Sequence, residues 1–297
     1  MSRLANWQLF AVCVLVWGTT WYAITWQIAE LAPEFGVALR FALAGAVILA
    51  WAAWRGEPLR FGARAQARFA LQGAFMYGVS YVCVYHAEQH VVSGLVAVGY
   101  SASPLIVSLG ARAAFGAPVT PRFLAGGVVG LAGVTLIFWP ELAKAPAGGG
   151  TTLGAAFTVA AVLLSAVGSL SASRNRHHGL PFWPALGYGM LWGALASLLV
   201  ALALGRGFAL PTSAAWWISL LYLAIAGSVL TFACYLTLQD RLGPGPAGTI
   251  GVMTPLLALA VSLGLEGYRP ELVTLAGAAL AVAGNVAMLR PGAAARG

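Results

Sequence analysis

Tyr77, Tyr81 and Tyr85 recur every four residues and therefore share one face of a helix. His86 and Glu88 follow them directly, and Trp17 and Trp21, with Thr20 beside them, form a similar aromatic pair near the N-terminus. Such residues can stack on a flat or apolar side chain and hydrogen-bond a small polar molecule. A hydroxyl row facing lipid would be costly, so the tyrosine face should look inward, either to line a cavity or to pack against another helix. Further hydroxyls that could join a substrate-binding lining are Tyr100, Ser101, Ser165, Ser169, Thr231, Tyr235 and Thr249. Each can bond back to its own helix, so several facing one cavity carry more meaning than one alone. Arg40 could snorkel, pair with Glu34 or meet a substrate carboxylate. His86 and Glu88 are candidates for proton or carboxylate contacts. The only Asp, Asp240, falls between apolar runs, so a deep carboxylate proton relay has no residues to use.

The same inventory argues against catalysis. No Ser-His-Asp set and no metal-ligand spacing is present, and His177-His178 sits in a basic stretch without nearby acids. The chain is expected not to be an enzyme and to need no metal and no cofactor. A channel would want a selectivity ring or filter, and none is legible.

The elements that position these residues follow from composition. Of 297 residues 60% are hydrophobic and 8% charged, against about 25% charged in a soluble domain. Lipid is the solvent such a chain requires. A span needs about 20 apolar residues. Ten such runs fall at 7–28, 34–54, 69–87, 92–113, 123–139, 152–173, 182–204, 214–237, 245–265 and 271–289. They must be helices, because backbone groups in lipid pair within their own segment and the runs are too continuous for barrel strands. The fold class is an all-α polytopic membrane protein. Trp7, Trp51, Trp54, Trp139, Trp183, Trp216 and Trp217 lie near span ends and read as an interfacial belt. Cys13, Cys83 and Cys234 lie inside apolar runs and read as small core residues.

The net charge of +8 comes from arginines in the short gaps, which marks topology rather than nucleic-acid binding. With ten spans, the side holding both termini carries twelve Lys and Arg and the other side three. That bias predicts a multi-pass protein with cytoplasmic N- and C-termini.

A shift of 151 residues lays the chain on itself: Gly94 meets Gly245, Pro104 meets Pro255, Gly116 meets Gly267, Gly126 meets Gly277 and Gly133 meets Gly284. Five spans per half is an odd number, so the halves enter the membrane from opposite sides, as an inverted repeat. The domains read as repeats at 1–139 and 151–290, a linker at 140–150 and a tail at 291–297. In such a plan substrate sits near mid-membrane, where Pro104 and Pro255 would free the carbonyls of Tyr100 and Gly251. Pro104, Pro255, Gly94 and Gly245 are therefore the hinge or gating candidates. The glycine-rich spans 123–139 and 271–289 can approach closely, within one subunit or across a dimer, so monomer and homodimer stay open.

These marks together resemble the drug/metabolite transporter superfamily, and within it the ten-helix EamA-type exporters. They are Trp17-Gly18, Arg40-Phe41, Ser103-Pro104-Leu105, Thr254-Pro255-Leu256 and the two glycine-rich helices, and they span nearly the whole chain. More narrowly, the sequence is similar to the aromatic amino-acid exporters of that group. The resemblance implies alternating-access export of small metabolites, amino acids with aromatic or other neutral side chains first, through a central cavity in the lipid bilayer. Other amphipathic metabolites or drugs are the alternative cargo. Two departures stand out. Many such exporters carry an acid shortly after the fourth helix of each half, where this chain has none in the first half and Glu266 in the second. Many also have a Lys late in the first span, where this chain has Gln27.

Overall fold

The computed structural model describes residues 4–144, 149–242, 247 and 250–289. All regular structure among them is helical, arranged as ten rods. These are α1 (Asn6–Ile28), α2 (Pro33–Trp54), α3 (63–88), α4 (Ser93–Phe115) and α5 (Pro121–Lys144). The second set is α6 (Gly150–His177), α7 (Phe182–Ala203), α8 (Ala214–Leu242), α9 (Ile250–Leu265) and α10 (Leu272–Leu289). Seven are long and apolar enough to cross a membrane, and 253–265 and 272–288 are shorter apolar helices. The third rod begins six residues before the expected 69–87 span, carrying Arg64 and Arg68 outside it. The expected linker at 140–150 is partly helical: Pro140 stays within α5, which runs to Lys144, and α6 starts at Gly150.

Two glycines matched by the 151-residue shift do the same work. Gly116 and Gly267 adopt φ of +69° and +65°, a left-handed conformation that suits glycine. Each follows the last turn of its rod. Ala117 N–H donates to Ala111 O at 3.4 Å and Tyr268 N–H to Ser262 O at 3.2 Å, each reaching six residues back across the left-handed glycine.

The helices gather into two compact units, each drawing on both sequence halves. One takes in the described parts of 1–22, 90–156 and 231–297, the other 23–89 and 157–230. In the first unit α5 and α10 pack backbone to backbone. A Cβ on Gly126 would lie 2.7 Å from Gly284 O, and one on Gly277 would lie 2.7 Å from Gly133 O. As one index rises the other falls, so the two helices run antiparallel. The contact is also reciprocal, because the partners of one pair are the shifted equivalents of the other. Side chains from α4, α5, α9 and α10 (Leu95, Val98, Ile137, Leu259, Ala281) fill the core beside this seam.

In the second unit α2 and α7 are likewise antiparallel. Gly45 faces Leu191, and Gly187 faces Leu49. α3 lies on the other flank of α7, where Gly78 and Gly193 let the backbones meet, a Cβ on Gly78 falling 2.8 Å from Gly193 O. Two rods contain π-helical turns, Ala74–Gly78 in α3 and Tyr222–Leu230 in α8, the third helix of each half. Trp216, expected in the interfacial belt, is instead fully buried with Leu31, Phe35 and Leu220, and its indole N–H donates to Gln27 O at 3.1 Å. Ser213 caps α8 one turn earlier, accepting Trp216 N–H, while the ring is held inside by its packing and its indole bond. Trp7, Trp54 and Trp139 are exposed, as a belt residue should be.

Candidate functional site

The residues singled out from the sequence separate into two clusters, one in each unit. In the second unit Arg40 is the centre. It is 1% exposed, so it does not snorkel. Its Nε donates to Ser228 Oγ at 3.0 Å, and one terminal NH group lies 3.5 Å from Tyr85 Oη. The guanidinium sits over Tyr81, 4.8 Å from the ring centroid, and over Phe41 at 5.1 Å, both cation–π distances. Glu34 is not its partner. The Glu34 carboxylate, fully buried at the start of α2, meets His86 Nε2 at 2.8 Å and Arg206 Nε at 3.6 Å. The preference for an acid at a helix N-terminus places Glu34 in that first turn.

The three tyrosines all face α2, Tyr77 and Tyr81 against Phe41 and Tyr81 and Tyr85 against Arg40. Tyr77 and Tyr85 are wholly buried, whereas Tyr81 is partly open. Tyr77 and Tyr81 both lean on Phe41, at 5.4 Å and 4.9 Å between centroids. The π-helical turn ends between these two tyrosines. Tyr85 donates to Gln27 Oε1 at 2.9 Å. His86 stacks on Phe157 and its Nδ1 lies 3.1 Å from Gln89 Oε1. Glu88 is buried, while Ser165 and Ser169 on α6 are partly open.

The π-helical turn of α8 shapes this cluster. Ser228 donates to Leu223 O, five residues back, at 2.9 Å. That bond fixes the hydroxyl hydrogen away from Arg40 and leaves the oxygen lone pair facing the guanidinium.

In the first unit the lining is aromatic. Trp17 packs on Phe232 at 5.1 Å and on Tyr235 at 5.3 Å. Trp21 meets Tyr100 at 5.2 Å. Thr20 is buried and bonds back to Trp17 O, the cheap solution for a hydroxyl in a helix. Ser101 and Thr231 are also buried. Pro104 stands at the start of a fresh helical segment, after a 3-10 turn at Tyr100–Ala102. Pro255 lies inside α9, and Pro104 Cγ is 3.7 Å from where a Cβ on Gly251 would be. Gly94, a gating candidate, is packed tight: its N–H donates to Ser262 Oγ at 2.9 Å. Gly245 and Thr249 lie outside the described residues.

Residues 6–139 and 152–290 each match the sequence profile of the EamA-like transporter family. The chain belongs to this family. Similar curated proteins include the uncharacterized inner membrane transporter YedA of Escherichia coli K12, 27% identical over 267 residues, covering 87% of this chain and 82% of YedA. PecM of Dickeya dadantii is 26% identical over 275 residues, covering 90% of this chain and 87% of PecM. PagO of Salmonella typhimurium is 23% identical over 277 residues, covering 90% and 87%. A solved crystal structure, 19% identical, superposes with a TM-score of 0.70 over 95% of this chain and 96% of its own, which establishes the fold.

This EamA-like protein is thus a membrane transporter rather than an enzyme. Sequence reasoning missed four of its polar residues. Ser228 and Gln27 lie against the Arg40–Tyr85 pair, and Arg206 and Glu34 against His86. Glu34 and Gln27 were visible as polar residues in or beside apolar spans, a signal in itself. Ser228 needed the π-helical turn, which leaves no mark in the sequence.

Proposed function

We propose that this EamA-like transporter exports small amphipathic metabolites, foremost amino acids with neutral or aromatic side chains, across the bacterial inner membrane by alternating access. Residues 1–139 and 151–290 form the two inverted repeats in this reading. The observation that carries it is the reciprocal antiparallel contact of α5 with α10, Gly126 on Gly284 and Gly133 on Gly277. Two copies of one surface meeting in this way is what a two-fold axis between repeats produces. α2 with α7 and α4 with α9 also run antiparallel.

The topology has separate support. Three ties between helix ends join gaps that ten spans place on one side. Glu30 reaches Thr212 and Ser213, Ser93 reaches Glu266, and Arg241 reaches Leu4 O. With the arginine bias this favours cytoplasmic termini. The aromatic and hydroxyl groups of Trp17, Tyr100 and Tyr235 in the first unit suit a molecule with one flat or apolar end.

The test is counterflow of labelled amino acids in proteoliposomes. Saturable exchange that unlabelled substrate competes, weakened by Trp17→Ala and Tyr81→Ala without loss of inserted protein, is the expected result. Absence of saturable exchange for every common amino acid would remove that cargo.

A further inference from the structure

Arg40 presents a charge problem that the fold does not solve by itself. Its guanidinium carries five N–H donors, of which one makes a good hydrogen bond, to Ser228 Oγ at 3.0 Å. The contact with Tyr85 Oη, at 3.5 Å, lies beyond ordinary hydrogen-bond range. The remaining neighbours are the faces of Phe41 and Tyr81. Among the described residues no carboxylate lies within ion-pairing distance of Arg40. The nearest in sequence, Glu34, is committed to His86 and Arg206. A buried cation normally acquires a partner, because an unpaired one is costly to desolvate.

A second donor is unsatisfied next to it. Gln27 is fully buried and its Oε1 accepts from Tyr85, while its Nε2 has no partner among the described residues. Arg40 and Gln27 thus converge on the Tyr85 hydroxyl from two sides, and both have N–H groups to spare. At Arg40 and Gln27 Nε2 themselves the spare N–H groups outnumber the acceptors in hydrogen-bond reach, the buried Glu88 carboxylate lying outside that reach. A carboxylate, with two oxygens and about four lone-pair sites, is the group that such a region lacks. Phe41, Tyr85, Ser228 and Gln27 are all fully buried, and Tyr81 alone of the contacts is partly open. Its ring over the guanidinium is the one cover that is itself partly open.

We propose that Arg40 and Gln27 Nε2, held in place by the Tyr85 hydroxyl between them, form a subsite for the carboxylate of the transported molecule, with the Tyr81 ring as its displaceable cover. This rests on the reading above, in which the cargo includes amino acids. It makes the carboxylate, rather than the ammonium or the side chain, the group that cargo must carry. Arg rather than Lys suits the task, since its planar fork engages two oxygens at once.

The experiment uses the purified full chain. Phenylalanine, phenylalaninamide and phenethylamine are compared as competitors of phenylalanine counterflow in proteoliposomes, and as stabilisers against thermal unfolding in detergent. Phenylalanine should compete at least tenfold better than either analogue. Arg40→Gln should erase that preference and Arg40→Lys should restore part of it. Since Arg40→Gln risks misfolding, Gln27→Glu is the companion variant. It puts a carboxylate beside Arg40, and should raise the unfolding temperature while weakening phenylalanine competition at least tenfold. Equal competition by the acid and the amide in wild type, or a Gln27→Glu variant that keeps its preference, would overturn the subsite and leave amino-acid transport standing. Lack of saturable exchange for phenylalanine and both analogues, with no thermal stabilisation by any of them, would sink the subsite and the amino-acid reading together.

Discussion

The α5–α10 seam and the Arg40 cluster solve opposite problems. The seam is symmetric, dry and built from what is missing. Gly126, Gly133, Gly277 and Gly284 lack side chains so that two backbones can touch, and the 151-residue shift maps each contact onto its partner. The Arg40 cluster is asymmetric and built from what is present. The positions 149 to 151 residues beyond Arg40 are Gly189, Met190 and Leu191, none of them charged. A repeated contact must serve both halves and is therefore restricted to architecture. A residue present in one half alone is free to recognise a particular group, since substrate is not two-fold symmetric.

The sharpest way to break this contrast is to fill the seam. A leucine at Gly133 would drive its side chain into the Ala281 backbone, where no rotamer can relieve the clash. Gly133→Leu should cost about 3 kcal/mol or more and leave little monodisperse protein on size exclusion in detergent. A wild-type unfolding temperature would show that the seam is looser than its geometry.

The polar cluster should respond less. Ser228→Ala strips Arg40 of its one close acceptor. A cost of about 2 kcal/mol is expected, the range for a hydrogen bond to a charged group, read as a lower unfolding temperature. Loss of function without loss of stability would mean that the hydroxyl serves the ligand rather than the fold.

Smaller again is the tie at the start of α4. Glu266 accepts from the Ser93 hydroxyl at 2.9 Å and from its N–H at 3.4 Å, which satisfies an otherwise orphaned helix donor. Glu266→Ala should cost about 1 kcal/mol, as for other lost caps, and should spare the carboxylate preference.

Glu30 offers the least, and a pH signature. It lies in the turn after α1, where the Ser213 hydroxyl, then the Thr212 and Ser213 N–H groups, hold its carboxyl below the usual glutamate range. The folded value is the lower one, so the tie is fully present above about pH 5 and is lost as pH falls below about 4 and through the folded value. Glu30→Gln should therefore lower the unfolding temperature slightly at pH 7, with the gap to wild type closing in acid. A gap that persists in acid would assign the effect to packing instead.

Much of this was legible from residues alone. Ten spans followed from runs of apolar residues that only lipid can solvate, and the Gly116–Gly267 match became two left-handed helix ends. The glycine-rich spans foretold close packing, though not which helix each would meet. Other residues misled. Trp216 read as interfacial because it lies near a span end, yet its packing and its indole bond hold it inside. Arg40 was expected to snorkel, to pair with Glu34 or to meet a substrate carboxylate; the first two do not occur, and its neighbours are a serine and two aromatic rings.

The sequence by itself determined that this chain is a helical membrane protein, how many times its apolar runs recur and that its halves are copies. Those are properties of hydropathy and spacing, which each segment carries whatever its neighbours do. Only the tertiary structure decided which helices pair, that both units mix the two halves, and that Arg40 is sealed away from water among neutral groups. Burial and partnership depend on residues nearly two hundred positions apart, such as Arg40 and Ser228. Nothing local in the chain encodes that meeting.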